Sequence, residues 1–315
     1  MLVSSAPVLL SVVCDLCGSN GTRQVVIRPD GLTAVECLEC GLCYLNPRPG
    51  PNHIQSLYDG DYFSKDRQVP EESQNYGYND YFGEANKKLL VKAAESRLRL
   101  VSPYVQVPGR SCLEIGCATG EFCGLIAEEA ANVLGIDLAA EAIATAARRY
   151  PRIALRQGDL STLRDDEQFD TIFAFEVIEH LESPAAFLRE LVAHLKPDGR
   201  LVMTTPNYNC GKRVGAHRWS GFQSSLEHLY FFNSDSLSSY GEKVGLTPVV
   251  SLTGCGDGIQ AAAKTDSKAP VRNVLRRLGV LNLVRQYRPA GLPAVTEVYS
   301  EQDDLHNLFM VLAKV

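Results

Sequence analysis

From residue 110 onward, short apolar runs alternate with amphipathic stretches, and this alternation constrains the fold more than any other feature of the chain. Candidate strands are Cys112–Gly116, Val133–Asp137, Ile153–Gln157, Phe169–Phe175, Arg200–Thr204, Pro248–Leu252 and Leu308–Leu312. Helical patterns fall near 121–131, 139–149, 184–196 and 234–244. Apolar runs bounded by turn residues, each followed by a helix that can cross back over the sheet, predict an α/β fold. Its sheet is doubly wound, mainly parallel and seven-stranded. Upstream, Glu84 to Val101 has helical periodicity, with Leu89, Leu90, Ala93, Ala94 and Leu98 on one side and Pro103 ending the run.

In such a sheet, ligands sit at the carboxyl ends of the strands. The first strand runs into Leu113-Glu-Ile-Gly-Cys-Ala-Thr-Gly-Glu-Phe122. Gly116, Ala118 and Gly120 are small enough for a ligand to lie against backbone. A dinucleotide fingerprint places a third glycine where Glu121 stands, and a carboxylate beside a pyrophosphate is electrostatically wrong. The loop therefore suits a ligand without phosphates, and Glu114 suits one carrying positive charge.

Five motifs in this half resemble, in order and spacing, the class I S-adenosylmethionine-dependent methyltransferases, whose fold is Rossmann-like. The resemblance covers roughly residues 85–255 and a final strand at 306–315. Glu114-Ile-Gly-Cys-Ala-Thr-Gly120 is similar to the cofactor loop, with Ala118 where a glycine is commoner. Gly135-Ile-Asp137 resembles the acidic end of the second strand, and Gly158-Asp159-Leu160 the adenine-contacting turn. Phe169 to Leu181 resembles the fourth strand with its active-site edge, and Leu195 to Pro206 the passage into the fifth. The resemblance implies that S-adenosylmethionine meets Glu114, Gly116, Cys117, Ala118, Gly120, Asp137, Leu138, Asp159, Leu160 and Glu176, with Asp137 accepting from the ribose hydroxyls.

Methyl transfer from a sulfonium is an in-line displacement that depends on positioning and often on a base, and it requires no catalytic metal. His180 lies four residues after Glu176, so a helix there would point both to one side. A second segment, His217 to Phe232, follows the fifth strand and offers His217, Trp219, Glu227 and His228 on the acceptor side. Glu176, His180 and His228 are the candidate catalytic residues. For Trp219, lid packing and substrate stacking both stay open.

The amino-terminal segment carries Cys14-Asp-Leu-Cys17-Gly18 and Cys37-Leu-Glu-Cys40-Gly41. Two Cys-x-x-Cys pairs at this separation match a tetrathiolate zinc site. The two-residue gap lets one turn present both sulfurs to a metal about 2.3 Å away. Gln24-Val-Val-Ile and Leu32-Thr-Ala-Val flank a turn at Pro29-Asp30-Gly31, so the whole resembles a zinc ribbon. Four protein ligands leave no open position, which makes the metal structural; a redox dithiol pair is the alternative. Cys43 is read as buried and idle.

Net charge is -6, and residues 1–50 hold three basic side chains (Arg23, Arg28, Arg48) against four acidic ones, with a zinc tetrathiolate adding two more negative charges. That balance argues against nucleic acid as a partner. Against it too, the edge Phe175-Glu-Val-Ile-Glu-His180 lacks the Asn/Asp-Pro-Pro-aromatic motif typical of enzymes that methylate exocyclic amines of bases. A small-molecule acceptor, anionic or carrier-bound, is the leading expectation. An RNA methyltransferase with a zinc clip and a non-catalytic S-adenosylmethionine-binding protein are the alternatives. No apolar run reaches the roughly 18–20 residues that cross a bilayer, and the start lacks a basic segment before its apolar stretch, so a cytoplasmic chain is expected. Residues 264–288 contain seven basic side chains and one acid, a basic amphipathic pattern suited to a solvated surface, an anionic acceptor or a membrane surface. The expected organisation is a zinc-ribbon-like segment at 1–50, an aromatic-rich linker and helix at 51–106, the core at 107–253, a basic insertion at 254–305 and the last strand at 306–315.

Overall fold

A computed structural model describes residues 8–50, 81–255, 298–300 and 306–314. The basic stretch 264–288 and the aromatics Tyr58, Tyr62, Phe63, Tyr76 and Tyr78 lie outside the described residues.

Strands β1 (Leu9–Leu10), β2 (Thr22–Ile27), β3 (Thr33–Cys37), β4 (Cys43–Leu45) and β5 (Arg48–Pro49) form the amino-terminal segment. Helix α1 (Glu84–Val101) then leads to β6 (Ser111–Ile115), α2 (Glu121–Ile126), β7 (Asn132–Asp137), α3 (Ala140–Arg149), β8 (Ala154–Gln157) and β9 (Phe169–Phe175). After these come α4 (Pro184–Ala193), β10 (Leu195–Pro206), α5 (Tyr208–Val214), α6 (Ser220–Gln223), β11 (Tyr230–Phe231) and α7 (Ser234–Lys243). Three strands close the chain: β12 (Leu246–Cys255), β13 (Val298–Ser300) and β14 (Asn307–Lys314).

The main sheet has the order β13-β12-β14-β10-β9-β6-β7-β8. Strands β8, β7, β6, β9 and β10 run parallel, and β14 inserts antiparallel between β10 and β12. All seven expected strands are present, and Val298–Ser300 adds an eighth at the edge of β12. Both faces are covered, which is why the strands read as continuous apolar runs rather than as alternation. Along β9, Ile172 and Ala174 join the core on one side. Phe173 and Phe175 join the other, with Ala94, Val101 and Phe122 from α1 and α2.

Two elements differ from the sequence reading. The helix expected over 121–131 stops at Ile126. Beyond it the backbone turns back on the start of β6: Gly109 donates to the Glu129 carbonyl and Ala131 to that of Arg110. Strand β10 begins at Leu195, ahead of Arg200, with an irregularity in its pairing to β9 between these two residues.

The amino-terminal segment is not a free-standing ribbon. Its sheet has the order β11-β4-β3-β2, so the fourth strand comes from residues 230–231 of the main fold. Tyr230 pairs with Tyr44 and Phe231 with Cys43. Buried residues of the segment, including Leu42, Tyr44 and Leu45, belong to the same core as one face of the main sheet.

Candidate active site

The carboxyl ends of the parallel strands form one cradle. After β6 the backbone bends through Gly116 (φ 72°), Ala118 (φ 45°) and Gly120 (φ 79°), all left-handed. A Cβ on Gly116 would lie 2.7 Å from Val177 Cγ2, so the bend and the end of β9 approach each other only because position 116 is glycine. The amides of Gly116 and Cys117 both donate to the Ile136 carbonyl at 2.8 and 3.1 Å, which ties the bend to β7.

Asp137, at the end of β7, completes this anchoring. One carboxylate oxygen accepts from the Ala118 amide at 2.8 Å and the other from the Ala139 amide at 2.9 Å. Burial raises its pKa, and these two N–H groups oppose the rise. Leu138 follows, and its carbonyl accepts from the Gln157 amide group at 3.5 Å. At the end of β8, the exposed Asp159 caps a short turn by accepting from the Ser161 amide at 3.0 Å, and Leu160 is buried beneath it.

Glu114 and Glu121 are held inside. Burial pushes the Glu114 carboxyl up to about 7, against the Cys123 thiol that donates to it at 2.9 Å. Glu121 accepts from Thr119 Oγ1 at 2.5 Å and pairs with Arg149 at 2.5 Å. Its charge is thereby committed to the fold rather than presented to the bend. Cys117 is buried under the bend, where a Cβ on Gly135 would lie 2.9 Å from its sulfur.

Beyond the cradle, Glu176 ends β9 with a left-handed backbone (φ 54°). Ile178–His180 then form a single 3-10 turn. The α-helical reason for pairing Glu176 with His180 therefore does not hold. What this turn brings together is Glu179, His180 and His228, all buried. The His180 and His228 rings stand edge to face, 4.7 Å between centroids. Their Nε2 atoms lie 4.0 and 3.9 Å from the same oxygen, Oε1 of Glu179. Glu179 is wholly buried, and burial together with the neighbouring Glu176 carboxylate raises its pKa well above the ordinary range. Sequence reasoning passed over Glu179; the spacing Glu-x-x-Glu-His was the signal that could have found it.

The segment after β10 divides. Trp219 is buried among Tyr208, Phe222 and Phe231, and Cβ atoms on Gly211 and Gly221 would lie 2.7 and 2.5 Å from its ring, so it packs the interior. His217 is exposed and Glu227 half-buried; neither is in the Glu179 cluster. His228 reaches the cluster because its loop is clamped from both sides. The Leu229 amide donates to the Glu179 carbonyl at 2.8 Å, and the Leu45 amide donates to the Leu229 carbonyl at 2.9 Å.

The stronger clamp is Arg28, whose side chain is 0% exposed. Its guanidinium donates to the carbonyls of Leu226 at 2.7 Å and His228 at 2.9 Å, and pairs with Asp30. The sequence reading counted Arg28 among the charges of the amino-terminal segment; the structure places it inside as a strut under the His228 loop. Other contacts repeat this wiring. Asp15 accepts from Ser183 Oγ at 2.7 Å and the Ala185 amide at 2.9 Å at the start of α4, and from the Tyr240 hydroxyl at 3.1 Å. Arg48 donates to the Glu182 carbonyl at 2.7 Å and the Tyr230 hydroxyl at 2.8 Å. Glu36 accepts from the Tyr208 hydroxyl at 3.0 Å; burial alone would raise its pKa, but Tyr208, Arg23 and Lys212 outweigh it and hold it below the ordinary range.

Cys14, Cys17, Cys37 and Cys40 converge, their sulfurs all within 4.8 Å of one another. The two closest pairs cross between the motifs: Cys14 with Cys40 at 3.5 Å and Cys17 with Cys37 at 3.4 Å, with no disulfide formed. Gly18 and Gly41 are left-handed (φ 78° and 73°) and donate back to the carbonyls of Cys14 and Cys37. Four sulfurs on about 2.3 Å bonds around one cation would sit close to these separations, so the donor set fits a tetrahedral metal. Cys43 is buried in β4 outside this group.

Comparison with known proteins agrees with this geometry. A protein from Mycolicibacterium smegmatis named "Probable S-adenosylmethionine-dependent methyltransferase" is 40% identical over 100 residues, 31% of this chain and 39% of that protein. A ubiquinone biosynthesis O-methyltransferase of Rhodopseudomonas palustris is 32% identical over 146 residues, 39% of this chain and 58% of the relative. The chain thus spans well under two thirds of each. Among solved structures, magnesium protoporphyrin IX methyltransferase from Synechocystis PCC 6803 with bound SAH superposes with a TM-score of 0.50 at 12% identity. That match covers 83% of this chain and 98% of the other, a likeness of fold. Residues 85–252, a little over half of the chain, match the family described as "Methyltransferase domain", and the chain belongs to that family.

Proposed function

We propose that this protein transfers a methyl group from S-adenosylmethionine to a small-molecule acceptor. The observation that carries the reading is the glycine-lined bend after β6, pinned to Asp137 across the strand ends. Gly116 and Gly120 adopt left-handed conformations, and a Cβ at 116 would close the gap to Val177. The cofactor supplies an activated methyl on a sulfonium. Asp137 offers its remaining lone pairs to the ribose, Gly158 to Leu160 borders the adenine, and Glu176 with the Glu179–His180–His228 group borders the acceptor. The ring pair lies buried behind the end of β9, which suits a compact acceptor inserted into the fold better than a polymer lying on its surface. The name of the Rhodopseudomonas relative, a ubiquinone biosynthesis O-methyltransferase, supports an acceptor of small-molecule size. Titration calorimetry checks the core of this reading: S-adenosylmethionine and S-adenosylhomocysteine should each saturate one site per chain, and no heat at millimolar cofactor would overturn it.

The four thiolates hold zinc in a structural role, since four protein ligands complete the tetrahedron. Cys37→Ser should lose the metal and lower the melting temperature, because the clip anchors β2, which leads into Arg28, and β3, which carries Glu36. Metal content by atomic absorption and thermal unfolding are the two readouts; a variant retaining a full equivalent of zinc would contradict the assignment. No described helix is long and apolar enough to cross a membrane.

A further inference from the structure

Glu179, His180 and His228 form a second group of metal-ligand type, remote in chemistry from the thiolates. Two imidazoles and one carboxylate, all buried, offer ligand atoms within 4.8 Å of one another. Both Nε2 atoms face one oxygen of Glu179, at 3.9 and 4.0 Å. Those separations are too long for hydrogen bonds. They match donors that share a cation: ligands on bonds of about 2.1 Å lie roughly 3.0 to 4.2 Å apart, from neighbouring to opposite positions. Neither carboxylate oxygen of Glu179 receives a hydrogen bond of ordinary geometry, although the residue is completely buried. A fully buried carboxyl group with so little hydrogen bonding is costly in any fold. The expense is sustained here by two independent devices. The backbone at Glu176 is left-handed without being glycine, which turns the chain into the 178–180 turn. Arg28 and Leu229 hold the His228 loop against that turn.

We propose that Glu179, His180 and His228 bind a divalent transition-metal cation of the manganese, cobalt or zinc type. Imidazole with carboxylate favours such ions over magnesium or calcium, which take oxygen-only sets. Three protein ligands leave positions open, unlike the thiolate site, and Glu176 lies next to Glu179 at the cradle's edge. The cation site stands apart from the methyl-transfer reading; its part in the reaction rests on it. There the acceptor is a hydroxyl whose oxygen joins the cation. Its proton leaves to water, and the oxygen's electron pair forms the new bond to the methyl carbon. The carbon–sulfur bond breaks with its pair on sulfur, and the cation keeps its charge throughout.

The test uses the full chain with its thiolate site filled by zinc. Manganese(II) is added and the free ion followed by electron paramagnetic resonance; thiolates already on zinc do not compete for it. One further equivalent should bind, and Glu179→Gln and His228→Ala should each weaken it at least tenfold. Glu179→Gln keeps the shape of the side chain, so a folding failure in the histidine variant leaves the question answerable. Absence of manganese binding by the zinc-loaded protein, or binding unchanged in Glu179→Gln, overturns the proposal. S-adenosylmethionine titration on the same samples separates the two ideas. Cofactor binding without manganese binding sinks the cation site alone, and manganese binding without cofactor binding sinks the methyltransferase reading alone.

Discussion

Asp137→Ala should weaken S-adenosylmethionine binding about 100-fold, near 2.7 kcal/mol. The side chain acts twice. Its oxygens accept from the amides of Ala118 and Ala139, fixing the bend against the end of β7. In the proposed reading its remaining lone pairs accept from the ribose hydroxyls, and hydrogen bonds to a charged acceptor contribute about 1.5–3 kcal/mol each. Truncation removes the ribose partner and also frees the Ala118 amide, so the cradle loosens where the nucleoside lies. Asp137→Asn should be nearly as damaging, because one face of its amide would point a donor at a backbone N–H. Calorimetry on both variants provides the check. Affinity within threefold of the parent would show that the carboxylate does not grip the sugar.

Arg28→Ala should destabilise the fold by about 2–5 kcal/mol, because it strips the donor from two carbonyls and a buried polar group left unsatisfied costs about 1–3 kcal/mol. The guanidinium is fully enclosed, and its loss leaves the carbonyls of Leu226 and His228 without their donor, while the exposed Asp30 keeps the Leu32 amide. A fall in melting temperature of roughly 10 °C is expected. Arg28→Lys should recover little, since an ammonium on a flexible stem cannot serve two carbonyls and a carboxylate in one plane. Turnover should drop further than cofactor affinity in both variants, because the displaced loop carries His228 and not the bend. Equal losses in the two measurements would mean that Arg28 supports the whole fold without favouring that loop.

The architecture was legible in the sequence because a sheet covered on both faces writes its strands as apolar runs. Helix Glu84–Val101 has the bounds its periodicity predicted, with Pro103 just beyond it; Ala94 and Leu98 of its apolar face meet the core, while Leu89 stays exposed. The 121–131 segment misled because its apolar spacing continues past Ile126 while the backbone there is taken by Gly109 and Arg110. Motif reading named Glu176, His180 and His228 as candidates and passed over Glu179, which the structure sets beside both histidines. Glu179 gains its meaning from the His228 loop, some fifty positions further on. Arg28 was still harder: its partners lie nearly 200 residues away, and an arginine beside Pro29-Asp30-Gly31 looks like a solvated turn. Local pattern carries periodicity and spacing; it carries nothing about a guanidinium that finds its acceptors across the molecule.

The borrowed strand Tyr230–Phe231 has a consequence for biosynthesis. The four cysteines are translated long before residue 231, yet until then their small sheet lacks its fourth strand. Contacts this distant in sequence form late and slowly. This four-cysteine segment must therefore wait, one side uncovered, while nearly two hundred more residues are translated.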